Sequence, residues 1–156
     1  MCDHCGCRTL TPVARLMAEH DRLRELSGQI HRAVRREDDE TARALFDELL
    51  LVRGPHVLEE ETRLFPLLRR QEEFTGHVGQ LQSEHAGLYD AVDDLEQPPG
   101  DTDAAGLAGR ASWRTGVLAI LRELDDHLYK EDSGLFRAAI AALDGSDWDA
   151  IDRRAA

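Results

Sequence analysis

Apolar positions recur along most of the chain at alternating intervals of three and four, the period of α-helices that bury one face. The first segment places Val13, Leu16, His20, Leu23, Ser27, Ile30 and Val34 on that face, and Thr11-Pro12 starts it, with Thr as cap and Pro at the first helical position. The charged run Arg35 to Asp39 breaks the pattern and predicts a turn. A second segment aligns Ala42, Leu45, Leu49, Val52, His56, Glu60, Leu64 and Leu67; Gly54-Pro55 within it predicts a kink or a missing backbone hydrogen bond. The third carries Val78, Leu81, His85, Leu88, Val92 and Leu95 and is closed by Pro98-Pro99-Gly100. The fourth starts within Asp103 to Ser112 and runs to about Ala142, with Val117, Ile120, Leu124, His127, Glu131 and Leu135 inward. Beyond Gly145-Ser146, a short amphipathic tail from Asp147 to Arg154 offers Trp148 and Ile151 to one end of the bundle. The expected fold is all-α, four long helices with a short C-terminal one. The expected divisions are a Cys-rich segment over 1–10, the bundle over 11–143 and the tail over 144–156.

Polar residues interrupt these stripes in a repeated way. His56-Val-Leu-Glu-Glu60-Glu-Thr-Arg-Leu-Phe65 is echoed by His127-Leu-Tyr-Lys-Glu131-Asp-Ser-Gly-Leu-Phe136, and each copy follows a shorter repeat, Glu19-His20-Asp-Arg-Leu23 or Glu84-His85-Ala-Gly-Leu88. In HxxxE the second side chain is turned only about 40° from the first, one turn further on, so both aim at one inward spot. If the first helix ends near Arg35 and the second begins near Glu40, His20 and His56 lie 15 and 16 residues from the turn, hence side by side. The second half is less even, and the connection between Glu96 and Ser112 has to absorb the difference.

A lone histidine on an apolar stripe is ordinarily a hydrogen-bonded core residue. A buried carboxylate is different, because without a compensating charge it costs several kcal/mol. No Lys or Arg falls on these stripes, so the expected partner of four imidazoles and two carboxylates is one or two metal ions.

Composition narrows the picture. A net charge of −12 over 156 residues argues against nucleic acid, which needs concentrated Lys and Arg. No stretch approaches the roughly 20 apolar residues of a membrane span, and the start of the chain has neither the basic nor the apolar region of a signal peptide. Three cysteines, all within the first seven residues, are not a disulfide framework, and a cytoplasmic location is the simplest expectation.

The two HxxxE…LF motifs, each preceded by EHxxL, resemble the hemerythrin-like, His-His-Glu cation-binding domains, over about Thr11 to Leu143. The resemblance implies an up-down-up-down four-helix bundle around a non-haem di-iron centre. His20, His56, His85 and His127 would be terminal ligands. Glu60 and Glu131 would bridge the irons, aided by an oxo or hydroxo group. Oxygen carriers of this family have HxxxH on the third helix, whereas Leu81 stands four residues before His85 and His77 is two turns away. Fewer protein ligands leave an open position, the mark of a reactive metal centre. The expected function is therefore redox chemistry with dioxygen or peroxide, oxidase-like or peroxidase- or catalase-like. The alternative is reversible oxygen, nitric oxide or iron binding, sensing or storage without turnover, and a third reading is a zinc or structural metal protein with no redox role. Glu59, Glu61, Glu84 and Asp132 read first as solvated helix-face residues that could complete the shell after rearrangement.

Cys2, His4, Cys5 and Cys7 form a second constellation. Thiolates and imidazole suit Zn²⁺ or Cu(I); a thiol redox relay to the iron and a tail without regular chemistry are the other readings.

Overall fold

In the computed structural model, residues 11–95 and 104–153 are described, and all of their regular structure is helical. Helix α1 spans Thr11–Arg35 and α2 spans Asp39–Glu59. A π-helical turn over Glu60–Leu64 leads into α3, Phe65–Leu68. Helices α4, Glu72–Asp93, and α5, Ala104–Lys130, follow. A second π-helical turn over Glu131–Leu135 leads into α6, Phe136–Ala142, and α7 spans Gly145–Arg153. Four antiparallel rods result: α1; α2 with α3; α4; and α5 with α6. Pro98-Pro99-Gly100 and Cys2, His4, Cys5 and Cys7 lie outside the described residues.

The α1–α2 turn closes where the charged run predicts. Glu37 N–H bonds the Val34 carbonyl and Asp38 N–H bonds the Ala33 carbonyl, while Glu37 adopts φ 57°. That left-handed position favours glycine. Glu37→Gly should therefore raise stability by about 1 kcal/mol, read as a higher denaturation midpoint; an unchanged or lower midpoint would show that the position carries no strain.

The predicted stripe of α1 is buried from Val13 to Val34. On α2 the stripe runs instead through Ala42, Phe46, Leu49, Arg53, His56 and Glu60, with Leu45 and Val52 only half-buried. Arg53 thus corrects the expectation that no cation shares the polar stripes. Helix α2 continues through Gly54-Pro55. Proline has no N–H to donate, and the carbonyl one turn back belongs to Leu51, whose side chain is exposed.

The uneven second half is resolved by helix length. α4 ends at Asp93, soon after His85, whereas α5 starts at Ala104, far before His127. The overhanging part of α5 packs Trp113 and Val117 with Ile30, Val34, Ala42 and Phe46, and Arg114 donates to both oxygens of Asp39 at 2.6 and 2.9 Å.

The apolar core has two parts. One cluster joins Val13, Leu16, Leu64, Phe65, Leu68, Val78, Leu81, Leu135 and Phe136 with Trp148 and Ile151 of α7, which caps that end as its pattern predicts. The other joins Leu23, Leu26, Ile30, Leu49, Leu88, Leu121, Leu124 and Leu128. Between them in register lie the four histidines and two glutamates of the doubled pattern, all buried.

Candidate metal centre

Each π-helical turn begins at a motif glutamate. Phe65 N–H bonds the Glu60 carbonyl and Phe136 N–H bonds the Glu131 carbonyl, five residues back in both cases. The widened turn lets Glu60, Leu64 and Phe65 all face inward, and likewise Glu131, Leu135 and Phe136, each at most 1% exposed. Such single-turn insertions are frequent at functional sites.

Four imidazoles converge on the two carboxylates. The Nε2 atoms of His20 and His56 are 3.0 Å apart, and the rings of His85 and His127 have centroids 4.6 Å apart. Glu131 lies 3.3 Å from Nε2 of His20 and 3.1 Å from Nε2 of His127. Glu60 lies 3.5 Å from Nε2 of both His56 and His85. Each glutamate therefore reaches one histidine from either half of the chain. The result is two overlapping ligand sets, His20, His56, Glu60, Glu131 and Glu60, His85, His127, Glu131, in each of which the ligand atoms lie within 4.8 Å of one another.

The outer nitrogens of all four rings are held by carboxylates. His20 Nδ1 meets Asp132 at 2.8 Å, His56 Nδ1 meets Glu19 at 2.8 Å, and the Nδ1 atoms of His85 and His127 meet Glu61 and Glu84 at 2.9 Å. A carboxylate only accepts, so each neutral ring carries its proton on Nδ1 and turns the Nε2 lone pair inward. The pattern is crossed. The acidic residue before each half's first histidine holds the second histidine of that half, whereas the one after each motif glutamate holds the first histidine of the other half.

Neighbours on a helix are about 100° apart, so a residue next to a ligand faces the adjacent rod. That placement overturns the reading of Glu61, Glu84 and Asp132 as solvated surface. The signal was in the repeat itself, which places Glu19 and Glu84 directly before a histidine and Glu61 and Asp132 directly after a motif glutamate. Glu59 instead pairs with Arg15, and His77 is half-buried against Gly134, outside both ligand sets.

Two of the outer carboxylates are themselves fixed by cations. Arg24 donates to Asp132 at 2.7 Å and Lys130 to Glu84 at 2.6 Å. Burial works against the charge of Glu84, but Lys130 and His127 hold its carboxyl down at about 2. Asp132 is likewise held below the usual carboxylate range: His20 and Arg24 outweigh its burial.

The inner groups face one another. Both oxygens of Glu60, both of Glu131, and Nε2 of His85 and His127 are buried without a hydrogen-bond partner. Burial and the adjacent Glu131 push the Glu60 carboxyl well above its ordinary range. For Glu131, burial is outweighed by His127 and His20, which hold it well below. Converging lone pairs and unpartnered carboxylate oxygens in a dry interior are what a pair of cations satisfies. The residues present therefore fit two metal ions. The sequence model of the hemerythrin HHE cation-binding domain matches residues 11–139.

The chain belongs to the hemerythrin HHE cation-binding family. No curated protein and no solved structure matches it significantly. As in the family motif, two His-x-x-x-Glu helices face two further histidine-bearing helices, and Leu81, fully buried, stands one turn before His85. No described helix of this hemerythrin-like chain is long and apolar enough to cross a membrane.

The outer carboxylates give a direct test. Asp132→Ala should weaken binding of one metal ion by about 10–100-fold, because His20 loses the acceptor that fixes its tautomer. Asp132→Asn, which keeps an acceptor, should lose less. Competition against a chelator reads both, and unchanged affinity in Asp132→Ala would remove Asp132 from the site.

Proposed function

We propose that His20 and His56 hold one iron ion, that His85 and His127 hold a second, and that Glu60 and Glu131 bridge them. The observation that carries this reading is the reach of each glutamate to histidines of both halves. Four imidazoles with two shared carboxylates are a donor set that suits a pair of iron or manganese ions in a helix bundle better than a thiophilic ion. Once bound, such a pair supplies a redox couple and Lewis-acidic positions for dioxygen or peroxide, and we infer that redox chemistry with these small species is the function.

The chain's own residues support a reactive centre. Leu81 contributes no ligand where the family's carriers have a histidine, so a position stays free for a small molecule. Phe136 packs on His20 with ring centroids 5.2 Å apart, and Phe65 stacks on His85 at 5.8 Å. With Leu64 and Leu135 they form a dry floor that keeps bulk water from the ligands. Glu19, Glu61, Glu84 and Asp132 accept from the four Nδ1–H groups, which fixes the tautomer and orientation of each ring with Nε2 inward.

Cys2, His4, Cys5 and Cys7 fit the same reading as a zinc or copper site, or as thiols that return electrons to the iron. A reducing, cytoplasmic setting would keep them available. Iron reduction by the chain with and without residues 1–7 tests that part: equal rates would separate the thiols from the iron.

The function is tested by the visible spectrum of reduced, iron-loaded protein as oxygen is admitted and withdrawn. A change that persists while oxygen is consumed supports turnover. A band that appears with oxygen and vanishes on its removal overturns it in favour of reversible carriage or sensing.

A further inference from the structure

The doubling of the chain gives each position beside the metal ligands an internal counterpart. Three residues after His20 and His85 stand Leu23 and Leu88. The other two rods run the opposite way, so the same level is reached three residues before the histidine. In α5 this is Leu124, in the sequence Leu124-Asp-Asp-His127; in α2 it is Arg53, in Arg53-Gly-Pro-His56. All four are buried, and Arg53 is only 4% exposed. On the side of the ligands away from Phe65 and Phe136, the adjoining layer thus consists of three leucines and one arginine.

A guanidinium in a leucine's place has to be desolvated, which is unfavourable unless the surroundings answer it. The groups that hold Arg53 are uncharged: it donates to the His85 carbonyl at 3.1 Å and lies 4.2 Å over the Tyr89 ring. A carbonyl has a second lone pair beyond its helical bond, and an aromatic face attracts a cation, so the head group is fixed without being neutralised. It is anchored to the backbone of the helix that carries His85, and its charge acts on Glu131, Glu61 and Glu60. The tie between α2 and α4 explains where the side chain lies. It does not require a charge, as Leu124 shows in the other half.

We propose that Arg53 is a positioning residue that fixes one positive charge beside the bridging carboxylates, and thereby strengthens the binding of small monoanions to the metal pair. Azide and deprotonated hydroperoxide belong to this class. The inference rests on the metal reading of the site, and it deepens that reading by naming the charge type of the ligand. It also makes the site one-sided: the counterpart position in the other half offers no charge.

The probe is azide, titrated into the iron(III)-loaded full chain while its charge-transfer band is followed, with the midpoint potential of the pair measured alongside. Arg53→Leu installs the residue of the other half and should weaken azide binding about tenfold, while Arg53→Lys keeps the charge and should stay within about threefold of the parent. The potential should fall in Arg53→Leu and hold in Arg53→Lys, a contrast that a purely structural tie would not produce. Iron-loaded Arg53→Leu that binds azide as tightly as the parent overturns the proposal. So does an Arg53→Lys protein that loses as much as Arg53→Leu, because shape rather than charge would then be at work. A parent chain that takes up no iron pair would overturn the metal reading itself, which is a separate result.

Discussion

Replacing Glu60 and Glu131 together by leucine should abolish binding of both metal ions and, in the presence of chelator, leave a protein more stable than the parent. The two effects have one cause. Both carboxylates are fully buried and their oxygens have no hydrogen-bond partner in the fold. Without metal the desolvation of this pair weighs against the folded state, offset only in part by the hold of His127 and His20 on Glu131, and exchange of buried ionic groups for apolar ones of similar volume is commonly stabilising by about 1–4 kcal/mol. With metal the order reverses. An ion that binds only the folded chain adds about 4 kcal/mol at a thousandfold excess over its dissociation constant, and only the parent has the shared ligands to receive it. Thermal melts with chelator and with excess iron(II) separate the cases. A double variant less stable than the metal-free parent would mean that the carboxylates are satisfied within the protein, and the metal account of their burial would fail.

The second large effect is expected from the floor of the site. Phe136→Ala should cost about 3–5 kcal/mol, as truncation of a fully buried aromatic does. Phe136 is 1% exposed, belongs to the cluster that joins α1, α3, α4 and α7, and lies against the His20 ring. Its loss should also admit water beside His20, so the metal-loaded variant should autoxidise faster than the parent. Leu58→Ala is the control, because Leu58 is 63% exposed and a surface change of this kind stays within about 0.5 kcal/mol. Equal destabilisation of the two variants would contradict the packing described for the floor.

The helices and the six convergent residues were legible because one signal served both. A stripe that buries leucines at three-four spacing also buries whatever polar residue falls on it, and four histidines and two glutamates fell on it in duplicate. The choice of stripe on α2 was not legible. Leu49-Leu50-Leu51-Val52 is apolar on every side, so periodicity could not distinguish Leu45 and Val52 from Phe46 and Arg53. The π-helical turns were hidden for a related reason. An α-helix turns Leu64 and Phe65, and likewise Leu135 and Phe136, about 100° apart, and the inserted residue brings both members of each pair inward. Glu61, Glu84 and Asp132 were misplaced because an acidic residue beside a ligand resembles any solvated helix face until the neighbouring rod is in place.

The pattern of outer carboxylates makes the two halves equivalent at the level of ligands, and Leu16 before His20 matches Leu81 before His85, while Arg53 and the long α5 do not repeat. A symmetric donor set thus sits within a surround that is not symmetric.

The central claim is a bridged pair, and X-ray absorption on iron-loaded protein of known iron content tests it most directly. Two ions per chain and a metal–metal vector no longer than about 4 Å are expected. One ion per chain, or two without a metal neighbour in that range, would contradict the claim.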